Sequence, residues 1–216
     1  MHAVVSVVFP ALNEDAEENL WEWFTLRNEG DTTARNPVLW EIHVRDVVVR
    51  TEQILSNLVL DEGLKQAIIT AAQFHDHGKK RKQFQSMLGN TKYPECLLAK
   101  SGKRGGRLKE TYRHEFGSLL DVEKKLAGEH QDLILHLIAA HHGRGRPHFP
   151  VDNDEAFDPE RPQADADRVA ADVPRRFARL QRKYGRWGLA YLESLLRAAD
   201  WAASASPSEY LEEWRS

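Results

Sequence analysis

The stretch AAQFHDHGKK, residues 71–80, sets an imidazole beside a carboxylate: His75 and Asp76, followed by Gly78 and Lys79. It comes after an apolar run of Leu64, Ala67, Ile68, Ala71 and Ala72. A carboxylate in that place can bridge two metal ions while the adjacent histidine binds one of them. The dipeptide alone is weak evidence, because a histidine at the edge of an apolar face is more often a hydrogen-bonded structural residue. Further candidates are His43, His114, the pair His141–His142 and Asp200. His43, read alone, is a core-edge residue. Asp200 stands among alanines and leucines, and a buried charge is costly unless paired or bound to metal. Its partner is either a metal or a nearby arginine such as Arg197. Together the five histidines and two carboxylates exceed one tetrahedral zinc and match two six-coordinate ions sharing a carboxylate.

The elements that must position these groups are mostly helical. Apolar spacing predicts a helix over 40–60 with His43 near its start. In a second helix Leu64, Ile68, Ala71 and His75 share one face, with Asp61 as N-cap. Gly78 is expected as the left-handed residue just past its end. Residues 79–113 read as a long connection, with SGKRGGR (101–107) flexible. Helical spacing resumes over 111–126, with His114 in the first turn, and over 131–143, with His141 and His142 in the last turn before Gly143. His130 and His136 lack this placement and read as structural or exposed. Residues 144–162 read as loop. Residues 164–184 read as a helix with a break or restart at Pro174, and 187–204 as a last strong helix bearing Asp200. At the front, valine-rich 3–9 reads as one strand, 13–26 as a short helix with Leu20, Trp21 and Phe24 inward, and 28–37 as a loop. The division expected is an N-terminal extension or linker over 1–39 and a helical domain over 40–216.

Hydrophobic residues make up 41% and charged residues 29% of the 216, the balance of a globular protein. No apolar run approaches the ~20 residues of a membrane helix, and the opening MHAVVSVVFP lacks a basic segment and a long apolar core. The single cysteine, Cys96, excludes an internal disulfide and fits a reducing cytoplasm. Net charge is −3, but between Lys79 and Arg113 eleven Lys and Arg stand against two acids. From Pro174 to Gly188 there are six more basic residues and no acid. Such segments are either solvated surfaces or a footprint for a polyanion. No G-x-x-x-x-G-K-[S/T] is present, which excludes a phosphate-binding loop of a nucleotide-driven motor here. No second histidine follows HEF at the zincin spacing, and no G-x-S-x-G surrounds Ser118 or Ser204.

The order of these elements resembles the HD superfamily of metal-dependent phosphohydrolases, and within it the HD nuclease module of the CRISPR type I helicase–nuclease. HDHGKK (75–80) is similar to the HD-x-G-K element, and YRHE (112–115) to RHE. AAHHG (139–143) is similar to the paired-histidine element, and AADWAAS (198–204) to the closing A-D-x-x-x-S. The match spans about Trp40 to Ser204. It implies a mainly α fold, an HD helical bundle, and a site for two divalent ions; the strand read over 3–9 adds a short N-terminal β element. Mixed histidine and carboxylate ligation suits Mn, Fe, Co or Ni, with Mg also admissible. The resemblance implies that His43, His75, Asp76 and Asp200 hold one ion and Asp76, His114, His141 and His142 the other, with Asp76 bridging. Asp76 and Lys79 would be catalytic, Lys79 facing the scissile phosphate, and Ser204 would support the site. Arg113 is either a phosphate contact or an exposed first-turn residue. The departure is His77, where the family carries an apolar residue; exposure is expected for it.

The function implied is hydrolysis of single-stranded DNA in CRISPR interference, in the cytoplasm. The partners would be a helicase module, in this chain or another, and an RNA-guided surveillance complex; no membrane is involved. Lys79, Lys103, Arg104, Arg107, Arg113, Arg144 and Arg146 would guide the backbone without reading bases. The alternatives are an HD nucleotide phosphohydrolase or cyclic-nucleotide phosphodiesterase, and a non-catalytic nucleic-acid-binding module.

Overall fold

The computed structural model describes residues 3–10, 20–26, 36–102, 112–149 and 156–211. The chain divides into two compact units, Met1–Thr33 and Ala34–Ser216. In the first, strand β1 (Ala3–Pro10) pairs antiparallel with β2 (Leu20–Leu26), Val7 opposite Trp23 and Pro10 opposite Leu20. This corrects the helix expected over 13–26. The segment LWEWFTL is rich in aromatic residues and threonine, which favour strands, and β1 needs a partner to hold. Residues 11–19 and 27–35 lie outside the described residues.

The second unit is helical. A two-residue ladder joins β3 (Val38–Leu39) to β4 (Leu98–Lys100). Then come α1 (Trp40–Ser56), α2 (Glu62–Phe74), a 3₁₀ turn (His77–Lys80), α3 (Lys82–Met87), α4 (His114–Val122), α5 (Gln131–Ala140) and α6 (Gln163–Ala205). Asp61 caps α2 as expected, accepting the Leu64 N–H at 3.2 Å. One core joins Val47 and Leu55 of α1, Ile68 and Ala71 of α2, Phe116 and Leu119 of α4, Leu133 and Leu137 of α5, and Leu189, Leu196 and Ala199 of α6. Each helix thus turns its apolar stripe inward. With those stripes fixed, the helix ends carrying the candidate residues meet at one place.

Three expectations about connections change. Residues 79–113 are not an unbroken loop, since they contain α3 and β4. Pro174 does not interrupt α6; the helix runs through it because Val169, Val173 and Leu180 on either side are anchored in the core. The break comes at Gly185 (φ 73°), a conformation that glycine adopts without steric cost. Gly78 is not left-handed but lies inside the 3₁₀ turn. It is required there because a Cβ would fall 2.0 Å from the His114 carbonyl oxygen.

After α6 the chain folds back along α1. Asp46 accepts the Ser208 N–H at 2.8 Å and its hydroxyl at 2.6 Å, Arg45 pairs with Glu209, and Leu211 N–H donates to the Pro37 carbonyl at 3.0 Å.

Candidate metal centre

Five helix ends supply the site. His43 comes from the first turn of α1, and His75 and Asp76 from the C-terminal end of α2. His114 opens α4, His141 and His142 follow α5, and Asp200 lies in the last two turns of α6. His43, His75, Asp76, His114, His141 and Asp200 are all buried. Asp76 is the centre of the arrangement. Its Oδ2 lies 3.3 Å from His43 Nε2, 3.4 Å from His75 Nε2 and 2.8 Å from Lys79 Nζ. Its Oδ1 lies 3.2 Å from His114 Nε2 and 3.8 Å from His141 Nε2. The two oxygens of one carboxylate therefore face two separate histidine groups. Asp200 Oδ1 sits 3.2 Å from His43 Nε2, on the Oδ2 side.

Two of the histidines are oriented by their other nitrogen. His75 Nδ1–H donates to the Ala72 carbonyl at 2.8 Å, and His141 Nδ1–H to the Ile138 carbonyl at 2.7 Å. A carbonyl only accepts, so each ring carries its proton on Nδ1 and offers the Nε2 lone pair inward. Both Nε2 atoms are buried with no hydrogen-bond partner among the described residues. Buried polar atoms are rarely left so, and a bound cation would resolve the mismatch. Ligand atoms of Asp76, His114, His141 and His142 lie within 4.8 Å of one another, as do those of His43, His75 and Asp76. The donor set of imidazole nitrogen and carboxylate oxygen suits divalent transition metals.

Electrostatics keep the site ready. Burial holds the His75 imidazole down to about 4. Burial also lowers His141, and burial with the neighbouring His141 and His114 lowers His142 further, so these rings are neutral at pH 7. Burial works against the charge on Asp76, but His75 and Lys79 outweigh it and hold the carboxyl well below its usual range. His43 is the exception: burial opposes its charge, yet hydrogen bonds to Asp200 and Asp76 raise its pKa above the ordinary value.

The other expected residues distribute unevenly. Lys79 is buried with its ammonium on Asp76. Ser204 Oγ donates to Asp200 Oδ1 at 3.4 Å. Arg197 does not pair with Asp200 but stacks on Trp201, 4.8 Å from its ring. Arg146 is engaged by Glu193 at 2.9 Å, which leaves its guanidinium less available to a phosphate than expected. Arg144 is exposed and Arg113 half-buried. Lys103, Arg104 and Arg107 lie outside the described residues. His77 is not exposed: it is half-buried between Trp40 and Phe74, at 5.4 and 4.9 Å between ring centres. Burial and Lys80 hold its pKa at about 4. His136 is structural, buried against Glu193 at 2.7 Å.

Sequence reasoning missed groups that hold the site from behind. Trp40 Nε1–H donates to the Asp76 carbonyl at 2.8 Å. Glu115 is fully buried, with its carboxylate 3.6 Å from His114 Nδ1. Ser118 and Tyr112 contact the backbone of Gly78. The signals available were a tryptophan opening α1 and a serine four residues after His114, between Phe116 and Leu119.

Residues 30–208 match the family model described as Cas3, HD domain. No curated protein and no solved structure matches the chain.

Proposed function

Because the chain belongs to the Cas3 HD-domain family of metal-dependent HD hydrolases, we propose that it is a nuclease cleaving the phosphodiester backbone of single-stranded DNA. The observation that carries this reading is the division of Asp76, with Oδ2 toward His43 and His75 and Oδ1 toward His114 and His141. His43, His75, Asp76 and Asp200 would hold one divalent ion, and Asp76, His114, His141 and His142 the second. Ions bound there would polarise the phosphate and lower the pKa of a water nucleophile. Lys79 places a proton-bearing ammonium beside Asp76, where it neutralises charge developing on a phosphate oxygen. Neutral Nε2 atoms on His75 and His141 are open to an ion at pH 7, whereas His43, held through Nε2 by Asp200 and Asp76, would have to give up a proton to bind one. The recessed ligands favour a flexible single strand over a stiff duplex.

Cas3 HD domains imply nucleic-acid and helicase partners in general. The reading here is narrower: a helicase module in this chain or another, delivery by an RNA-guided surveillance complex, and action in the cytoplasm. Among the described residues no helix is long and apolar enough to cross a membrane. The test is incubation with circular single-stranded DNA, duplex DNA and a panel of nucleoside phosphates and cyclic nucleotides, each with Mn, Fe, Co, Ni or Mg. Metal-dependent cleavage of the circle is the expected result. Turnover confined to mononucleotides would replace the nuclease with a nucleotide phosphohydrolase.

A further inference from the structure

Gly78 lies two residues past Asp76 and close against the His114 backbone, and both of its backbone polar groups are held by buried hydroxyls. Its N–H donates to Ser118 Oγ at 2.8 Å. Its carbonyl accepts from the Tyr112 hydroxyl at 3.2 Å. Ser118 is fully buried, and its own proton is directed at the His75 carbonyl (2.7 Å) and the His114 carbonyl (2.9 Å). One hydroxyl thus touches the residue before Asp76, the residue before Lys79, and His114. The approach is close, since a Cβ on Gly78 would meet the His114 carbonyl oxygen at 2.0 Å. Tyr112 in turn lies against Gly117, whose added Cβ would meet the phenol oxygen at 1.8 Å.

We propose that Ser118, assisted by Tyr112, is a positioning residue that sets the register of the 3₁₀ turn against α4. The turn follows Asp76 directly and carries Lys79, while α4 carries His114. Asp76 belongs to both groups of possible ligands, and His114 only to the second. Backbone hydrogen bonds to Ser118 fix the separation of the two groups, which side-chain rotamers alone would leave variable. Neither hydroxyl is a metal ligand or reaches a substrate. Outer partners of this kind commonly change metal affinity about 10- to 100-fold when removed. The consequence for metal loading rests on the two-ion reading above; the clamp on Gly78 does not.

The test compares wild type with Ser118→Ala, Ser118→Thr and Tyr112→Phe. The control is Thr51→Ala, which removes another buried hydroxyl bonded to a backbone carbonyl, Val47 at 2.8 Å on α1. Two quantities are read: amide exchange of Gly78 in metal-free protein, and Mn²⁺ binding by calorimetry. Ser118→Ala should speed Gly78 exchange by about tenfold or more, the effect of losing one local hydrogen bond. It should also weaken Mn²⁺ binding about 10- to 100-fold. Ser118→Thr, which keeps the oxygen, should restore Gly78 protection, and Thr51→Ala should change neither quantity. If Ser118→Ala does not fold, Tyr112→Phe decides: it keeps the ring and should weaken Mn²⁺ binding in the same direction. The proposal is overturned by wild-type Gly78 exchange in Ser118→Ala, by equal acceleration in Thr51→Ala, or by unchanged Mn²⁺ affinity in both hydroxyl variants. A wild-type protein that binds Mn²⁺ but cleaves no DNA would count against the proposed nuclease and leave the clamp intact.

Discussion

At the scale of single residues, Asp76 and Lys79 make different predictions although they touch. Asp76 is shared by both groups of ligands, so Asp76→Ala should abolish cleavage and weaken both ion sites together. Full turnover by a folded Asp76→Ala protein would exclude a shared carboxylate. Lys79 donates charge and binds no metal, so Lys79→Met should keep metal binding while lowering kcat by about 10²–10³-fold, the scale of one lost electrostatic donor. Unchanged kcat with a drop in Tm as large as a core truncation would make Lys79 a purely structural cation. Much of this level was legible beforehand. Histidine and aspartate among leucines and alanines stand out because burying them needs a reason. The supporting shell was not legible. Trp40, Glu115, Ser118 and Tyr112 act through pairings across 36, 1, 40 and 34 positions, respectively, and no periodicity signals them. His77 went wrong for the same reason: its ring is covered by Trp40, far back in the chain.

Helices were readable as elements because their apolar stripes repeat, and the irregular stretches between them were not. LWEWFTL forms a strand because of its partner, and α3 is too short at six residues to show a period. Charge was equally deceptive at this scale. The basic run after Lys79 reads as either a solvated surface or a footprint for a polyanion, yet acids from distant segments neutralise part of it. Arg81 is buried and forms hydrogen bonds with Asp158 at 2.8 Å and Asp121 at 2.8 Å. That cluster ties the end of the 3₁₀ turn to α4 and to the segment preceding α6. Arg81→Ala would strand Asp158, itself buried, without its cation. Breaking a buried pair from one side costs about 3–5 kcal/mol, which at about 2–4 °C per kcal/mol is roughly 6–20 °C in Tm. Thermal unfolding of the metal-free protein measures it, and a shift under about 2 °C would mean that the cluster is solvated and dispensable.

For the whole molecule, proton uptake gives a global prediction. His75 and His77 stay neutral in the fold down to about pH 4, and His141 and His142 are also lowered. Unfolded histidines titrate near 6.5. Between those values the unfolded chain binds protons that the native chain refuses, so stability present above pH 6.5 is lost as pH falls toward 4. His43, raised by Asp200 and Asp76, acts in the opposite direction but is a single group. Metal-free protein should therefore show a Tm that declines from pH 7 to 4.5, and a flat or rising Tm would contradict the burial of these rings. A second global prediction concerns the strand's path. Replacing Lys103, Arg104 and Arg107 with alanine should flatten the dependence of log affinity on log salt, by about 0.7 for each phosphate no longer neutralised. Metal-free protein and unrelated single strands provide the measurement. An unchanged slope would move the path to the exposed Arg175, Arg182 and Arg186 on α6. The fold-back of residues 206–211 along α1 has a mechanical meaning. A pull applied at Leu211 is borne first by its bond to Pro37 and by the Ser208–Asp46 pair, before any load reaches α6. The fold-back therefore works as a strain relief: tension arriving from that side is delivered to the His43 helix, and Asp200 stays unloaded until the fastening tears.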